Sequence, residues 1–187
     1  MREVFFNIGK DLITDLIEHK KLDLKDEEVD MLAKALLRYT VGFGLIELLL
    51  SDKKVQDVNI NAPNGELPIF IVHQDYGDCY TNIYPTQQEV DSWATKLRLI
   101  SGRPLDEANP ILDTELRVEG FTSRVSALTA PLSPKGLAFS FRRHRDYPWT
   151  FPLYMQKKIR YMDSMAAGLL SFIIDNNATI LIAGTRS

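Results

Sequence analysis

Cysteine is almost missing from this sequence of 187 residues, with Cys79 standing alone. A disulfide framework needs cysteines in pairs, so no bridge forms within the chain, and a lone thiol suits a reducing compartment. Histidine is also scarce. His19, His73 and His144 lack the spacing and the cysteine partners of zinc sites, so no metal is expected. Long apolar runs are absent as well: the stretch Met165 to Ile174 is interrupted by Ser171 and is too short to cross a bilayer. The start, Met1-Arg2-Glu3-Val4-Phe5-Phe6-Asn7, has no sustained apolar segment or small-residue cleavage site, so no signal peptide is expected there. A large charge of one sign is lacking too. A net charge of −3 and a pI near 5.6 exclude a general polyanion binder. What is present is apolar bulk: 45% hydrophobic and 10% aromatic residues supply a packed core and rule out intrinsic disorder. The expectation is a cytoplasmic chain of mixed helix and strand.

Periodicity divides the chain. Phe5, Ile8, Leu12 and Leu16 recur at helical spacing with Ile13 and Ile17 beside them, giving one apolar face, and Val29, Leu32, Ala33, Leu36 and Leu37 repeat the period after a charged break where Asp26 suits an N-cap. Gly42 and Gly44 close that helix, and Leu45 to Ser51 reads as a third. Strand signals follow: Val55 to Ile60, Pro68 to His73 and Cys79 to Tyr84, joined by turns at Asn64-Gly65 and Tyr76-Gly77. Short connections predict an antiparallel meander. Thr86-Gln87-Gln88-Glu89 is a capping-box sequence, and Val90, Trp93, Leu97 and Ile100 form the stripe of the helix behind it. Residues 103 to 115 are acidic and proline-interrupted, and strands are expected at Thr122 to Leu128 and Leu137 to Arg142. Pro148 and Pro152 mark a linker. Beyond it, Asp163 suits the cap of a helix burying Met165, Leu169, Phe172 and Ile173, and Thr179 to Ala183 reads as an apolar strand of the kind buried in parallel sheets.

A buried strand followed by glycine is how a phosphate-binding loop begins, with Gly184 as its first glycine and Thr185, Arg186 and Ser187 as its next positions. The surrounding stretch Asn176-Asn177-Ala178-Thr179-Ile180-Leu181-Ile182-Ala183-Gly184-Thr185 resembles the approach to the Walker A loop in ATPases of the type II/type IV secretion superfamily. Those hexameric motors drive protein secretion, type IV pilus assembly and the archaeal flagellum. Val55-Gln56-Asp57-Val58-Asn59-Ile60-Asn61 resembles a strand of the same family, and Ile71 to Gly77 and Thr81-Asn82-Ile83 resemble hairpin segments of its archaeal members. The longest similarity is Gly102-Arg103-Pro104-Leu105-Asp106-Glu107-Ala108-Asn109-Pro110-Ile111-Leu112-Asp113.

The resemblance implies an α+β fold of stated organisation: a helical segment over 1–50, a PAS-like antiparallel domain over 51–145, a linker over 146–153, and over 154–187 the first helix and strand of a RecA-like ATPase domain, cut at the start of Walker A. It implies ATP and Mg²⁺ as cofactors of the whole protein and no hydrolysis by this piece alone. A homo-hexamer, an inner-membrane platform protein as partner, no nucleic acid, and a peripheral place at the cytoplasmic face of the membrane follow from it. Ser123-Arg124-Val125 and Ser140-Phe141-Arg142 match two arginine motifs of the family, which makes Arg124 and Arg142 the candidate catalytic residues. Gly184, Thr185, Arg186, Ser187 and Arg143 are the candidate nucleotide contacts.

The chemistry agrees, because a guanidinium is a permanently charged planar fork suited to phosphate. Arg143 and Arg145 read equally as a solvated face paired with Asp146 or Glu107. Two other functions remain open: a stand-alone PAS-like ligand or interaction module, and an RNA-binding domain using Arg142 to Arg145 with Tyr147 and Trp149. Asp106, Glu107, Asp113 and Glu115 are expected to be structural. His73 and Cys79 could meet across a hairpin, but no third group is apparent to orient them.

Overall fold

The computed structural model describes residues 2–118, 120–146 and 149–184. They divide into two compact units, one ending at His144 and one beginning at Arg145.

The first unit opens with a helical hairpin, α1 (Arg2–Lys20) and α2 (Asp26–Thr40), followed by α3 (Leu45–Ser51). The cap of α2 is Lys25, whose N–H donates to the Glu28 carboxylate at 2.8 Å, so Asp26 is the first helical residue rather than the cap. It gains from the helix dipole there. The buried face of α1 is only part of the one expected. Gly9 is buried, with Phe6, Ile13 and Ile17 half-buried beside it, while Phe5, Ile8, Leu12 and Leu16 are 45–56% exposed. Two apolar stripes one residue apart lie on the same helix, about 100° apart. Close approach of α2 selects between them, because Leu36 reaches within 3.4 Å of the position a Gly9 side chain would take.

A second glycine is equally constrained. A Cβ on Gly42 would strike the Glu47 carboxylate and lie 2.9 Å from the Arg38 carbonyl oxygen. Gly42→Ala is therefore expected to cost about 1–3 kcal/mol, read as a lower urea midpoint. An unchanged midpoint would show that the α2–α3 turn yields freely.

The sheet comprises β1 (Val55–Ile60), β2 (Phe70–His73), β3 (Gly77–Tyr80), β4 (Ile111–Val118), β5 (Phe121–Leu128) and β6 (Ala138–Arg143), with α4 (Gln87–Ser101) between β3 and β4. Its order is β3-β2-β1-β6-β5-β4, antiparallel throughout. The meander of β1 to β3 and the capped helix stand as expected: the Thr86 N–H donates to Glu89 at 2.8 Å, and Gly102 ends α4 at φ +64°. Strand β4 is the addition. Leu112 and Leu116 face inward and Asp113 and Glu115 outward, so the last five residues of the segment read as an acidic loop begin an alternating edge strand. The β1–β2 connection is tied to β6 by Asn64, whose amide donates to and accepts from the Leu137 backbone at 2.9 and 3.1 Å.

One sheet face carries the core. Val58, Ile60, Val125, Phe139 and Phe141 pack against Ile46 and Leu50 of α3 and Trp93 and Leu97 of α4. Phe141 stacks with Phe139 at 6.1 Å and meets the edge of Phe43 at 6.4 Å. Among the described residues, the opposite face carries the outward side chains of the strands, Asp57, Arg124 and Arg142 among them. The α+β class is thus observed directly.

The second unit contains α5 (Phe151–Met155) and α6 (Ser164–Asp175). The tract read as linker contains the start of α5, because Pro152 lies in its first turn, where the missing N–H costs nothing. Tyr147 and Pro148 lie outside the described residues. Asp163 caps α6 by accepting from the Ala166 N–H at 2.8 Å. The expected burial is not found: Met165, Leu169 and Phe172 are 82%, 58% and 66% exposed, and Ala167 is the buried residue of α6. Residues 179–183 do not form the expected strand. They run unpaired, with Leu181 93% exposed, because a strand needs a neighbour and the described residues supply none. No helix among the described residues is long and apolar enough to cross a membrane.

Candidate functional site

The opposite face of the sheet gathers the charged residues of four strands into one row. Glu115 on β4 is in register with Arg124 on β5, Arg124 with Arg142 on β6, and Arg142 with Asp57 on β1. The two arginines singled out by sequence, eighteen positions apart, are thus direct cross-strand neighbours. Side chains at such positions start about 5 Å apart, and like charges there repel.

The flanking acids treat them differently. Asp57 is buried, and its carboxylate accepts from Arg142 Nε at 2.7 Å while the Arg142 side chain stays 66% exposed. This bond holds Arg142 further toward its charged form. It also occupies only Nε, so the two terminal nitrogens project from the face without another protein partner among the described residues. Glu115 turns instead to Arg117, at 2.8 and 2.6 Å, and lies 3.8 Å from His144. Arg124 is left exposed, with no hydrogen bond or ion pair from its guanidinium among the described residues. One register step along the face, Ser126, Ser140 and Asn59 line a cavity of 310 Å³ with Phe70 and Leu128, and Ser140 donates to Asn59 at 2.7 Å.

Arg143 does not join this site. Strand alternation sends it to the core face, where it is buried and donates to the Leu50 carbonyl at 3.0 Å and the His144 carbonyl at 3.2 Å. It anchors α3 to β6 and belongs to no solvated surface. The run Arg142 to Arg145 is therefore not one basic patch, since its first two members point to opposite faces of the sheet. Arg145 belongs to the second unit, where its guanidinium lies 5.1 Å over the Trp149 ring. Gly184 is described, with open space where a Cβ would sit, and Thr185, Arg186 and Ser187 lie outside the described residues.

The other constellations are structural. Asp106 accepts from the Asn109 backbone and side chain at 2.8 and 3.0 Å, which holds its carboxyl below the usual range and closes a turn. Asp113 accepts from Ser126. His73 is in register with Gly77 and Cys79 with Ile71, so His73 and Cys79 are not opposed, and His73 Nδ1 accepts from the Asp75 N–H at 3.2 Å. The residue missed as a candidate is Asp57. Its signal was the one acid in the strand Val55–Ile60, next to Val58, where a buried charge requires a partner.

A helical hairpin leads into an antiparallel sheet that carries two arginines in cross-strand register on one face. This fold is shared with the VirB11 ATPase from the Brucella suis type IV secretion system, solved in complex with sulphate. The TM-score is 0.50 and the identity 16%, over 71% of this chain and 40% of that one. In sequence, an uncharacterised protein of Methanocaldococcus jannaschii is 33% identical over 122 residues, which is 65% of this chain and 16% of that protein. Another from the same organism is 32% identical over 108 residues, 57% of this chain and 42% of its own length. A Mycobacterium tuberculosis protein provisionally named for conjugal transfer is 30% identical over 167 residues, covering 86% of this chain and 45% of that protein. The chain thus spans less than half the length of these curated relatives. No family model matches it.

Proposed function

We propose that this chain is the amino-terminal part of a secretion-superfamily ATPase, in which the first unit is a PAS-like domain presenting Arg124 and Arg142 to nucleotide phosphates. Residues from about 154 onward begin the RecA-like motor domain, which in the whole protein holds ATP and Mg²⁺ through a loop starting at Gly184. The whole protein works as a homo-hexamer against an inner-membrane platform at the cytoplasmic face. The fold shared with VirB11 and the relative named for conjugal transfer support this reading.

The observation that carries it is the arginine pair. Two guanidinium groups in cross-strand register repel each other until an anion arrives, and a phosphoryl group that gains charge during hydrolysis relieves that repulsion most when the charge is largest. Asp57 fixes the Arg142 fork through Nε and leaves its paired N–H donors free for phosphoryl oxygens. Arg124 needs no partner broken before it binds. The test is the double variant Arg124→Ala/Arg142→Ala in a protein that carries the complete motor domain. Nucleotide binding is expected to persist and turnover to be lost, and turnover equal to the parent protein would refute the assignment.

A further inference from the structure

The helical hairpin of α1 and α2 keeps one apolar side exposed. Successive helical residues turn by about 100°, so from the buried Gly9 of α1, Lys10 lies to one side and Phe5, Ile8, Leu12 and Leu16 lie to the other. From the buried Ala33 of α2, Asp30 lies to one side and Leu32, Leu36 and Tyr39 to the other. Lys10 and Asp30 pair at 2.6 Å, so their sides coincide and the two apolar stripes share the opposite side. Leu36, which reaches toward Gly9, makes them continuous. Lys34 and Arg38 lie on the Asp30 side and line a cavity with Val118 and Phe121, so that side looks onto the sheet and the apolar side looks away from it. The stripe residues are 39–56% exposed.

We infer that this face docks a second copy of the chain, the two hairpins packing about a two-fold axis as a four-helix bundle. Area, shape and charge select that occupant. Side chains about half exposed on two helices present roughly 600 Å² of apolar surface, at the upper end of what monomers leave open and near the ~800 Å² per partner of a standard interface. The face is two helices wide, and a two-fold axis supplies a surface of that same width, stripe against stripe as in bundle cores. Residues 2–40 hold nine Asp and Glu against seven Lys and Arg, and Asp15 and Glu28 border the face. A helix that lies on an anionic lipid surface is instead rich in Lys and Arg beside its apolar face. The contact uses the hairpin alone and does not depend on the arginine row or the function proposed for it.

The test is sedimentation equilibrium of the 187-residue chain. Over about 1–200 µM protein, a reversible monomer–dimer equilibrium with a micromolar Kd is expected. Ile8→Glu and Leu12→Glu should each weaken it roughly 100-fold, because the new carboxylate would be buried against the apolar face of the other copy. Met31→Glu places the same charge on the outer side of α2, at a residue 62% exposed, and should leave the equilibrium unchanged. An unchanged circular dichroism spectrum certifies the fold of each variant. If a glutamate variant fails that check, the uncharged double variant Ile8→Gln/Leu12→Gln must still weaken the dimer by at least about tenfold. A chain that stays monomeric through that range would overturn the inference, and its binding to phosphatidylserine vesicles would then make lipid the occupant. Dimerisation unaltered in folded Ile8→Glu or Leu12→Glu, an equal loss in Met31→Glu, or an assembly of more than two copies would overturn it as well.

Discussion

On the proposed function, Arg142→Ala in a protein carrying the complete motor domain is expected to lower ATP turnover by roughly 10²–10³-fold and to leave nucleotide affinity within a few-fold of the parent. The reason lies in when the charge is needed. A donor aimed at developing charge contributes little to ground-state binding and much to the barrier. Arg142→Lys separates charge from geometry. Lysine keeps the cation but has no Nε to bridge to Asp57, so it cannot present a fork at the same place, and most of the loss should persist. Asp57→Asn removes the negative partner while keeping the size of the side chain. It should reduce turnover by roughly tenfold, a smaller loss than that of Arg142→Ala, because Arg142 remains but is no longer aimed. Steady-state hydrolysis together with a fluorescent-nucleotide binding assay reads all three. Turnover unaffected by Arg142→Ala would remove the catalytic role, and a rise in nucleotide dissociation equal to the fall in turnover would make it a binding residue only.

Phe141→Ala should destabilise the first unit by about 3–5 kcal/mol, the largest effect expected from a single core truncation. Phe141 has no exposed surface and joins three layers of packing: it stacks on Phe139, meets Phe43 before α3, and lies in register with Val58 of β1 and Val125 of β5. Truncating it opens a cavity at the centre of the sheet that neighbours on three sides cannot collapse to fill. The same strand carries Arg142 outward one residue later, so partial disorder there should also loosen the Asp57 contact. Urea denaturation followed by tryptophan fluorescence gives the value, with Trp93 reporting through its edge contact to Phe139 at 6.3 Å. A shift below about 1 kcal/mol would show that the helices and sheet are not cooperatively packed.

Local signals in the sequence were read well where one or two residues decide the outcome. The capping pair Thr86 and Glu89, the left-handed stop at Gly102, the Asp163 cap and the Gly77 turn all depend on neighbours within a few positions. The strands β1, β5 and β6 followed from their apolar residues. Strand β4 did not, because Asp113 and Glu115 belong to an outward face that a sequence cannot distinguish from a loop. The choice between two stripes on α1 was likewise invisible, since both are apolar and only contact with Leu36 at Gly9 selects one. The exposed face of α6 and the unpaired residues 179–183 make the same point from the other side. Apolar pattern states what a segment can bury, and burial requires something to bury it against.

For the arginine row, the sequence by itself singled out Arg124 and Arg142, cations in strands that otherwise alternate, and passed over Asp57. Only the tertiary structure brought the three together. Residues 57, 124 and 142 become neighbours through the pairing of β1 and β5 with β6, and the register of those pairs is a property of the whole sheet. The two-residue period of a strand then divides the arginine run, sending Arg142 to the opposite face and Arg143 into the core. A single-residue slip would exchange them, and the packing of Phe139 and Phe141 against α3 and α4 is what forbids it.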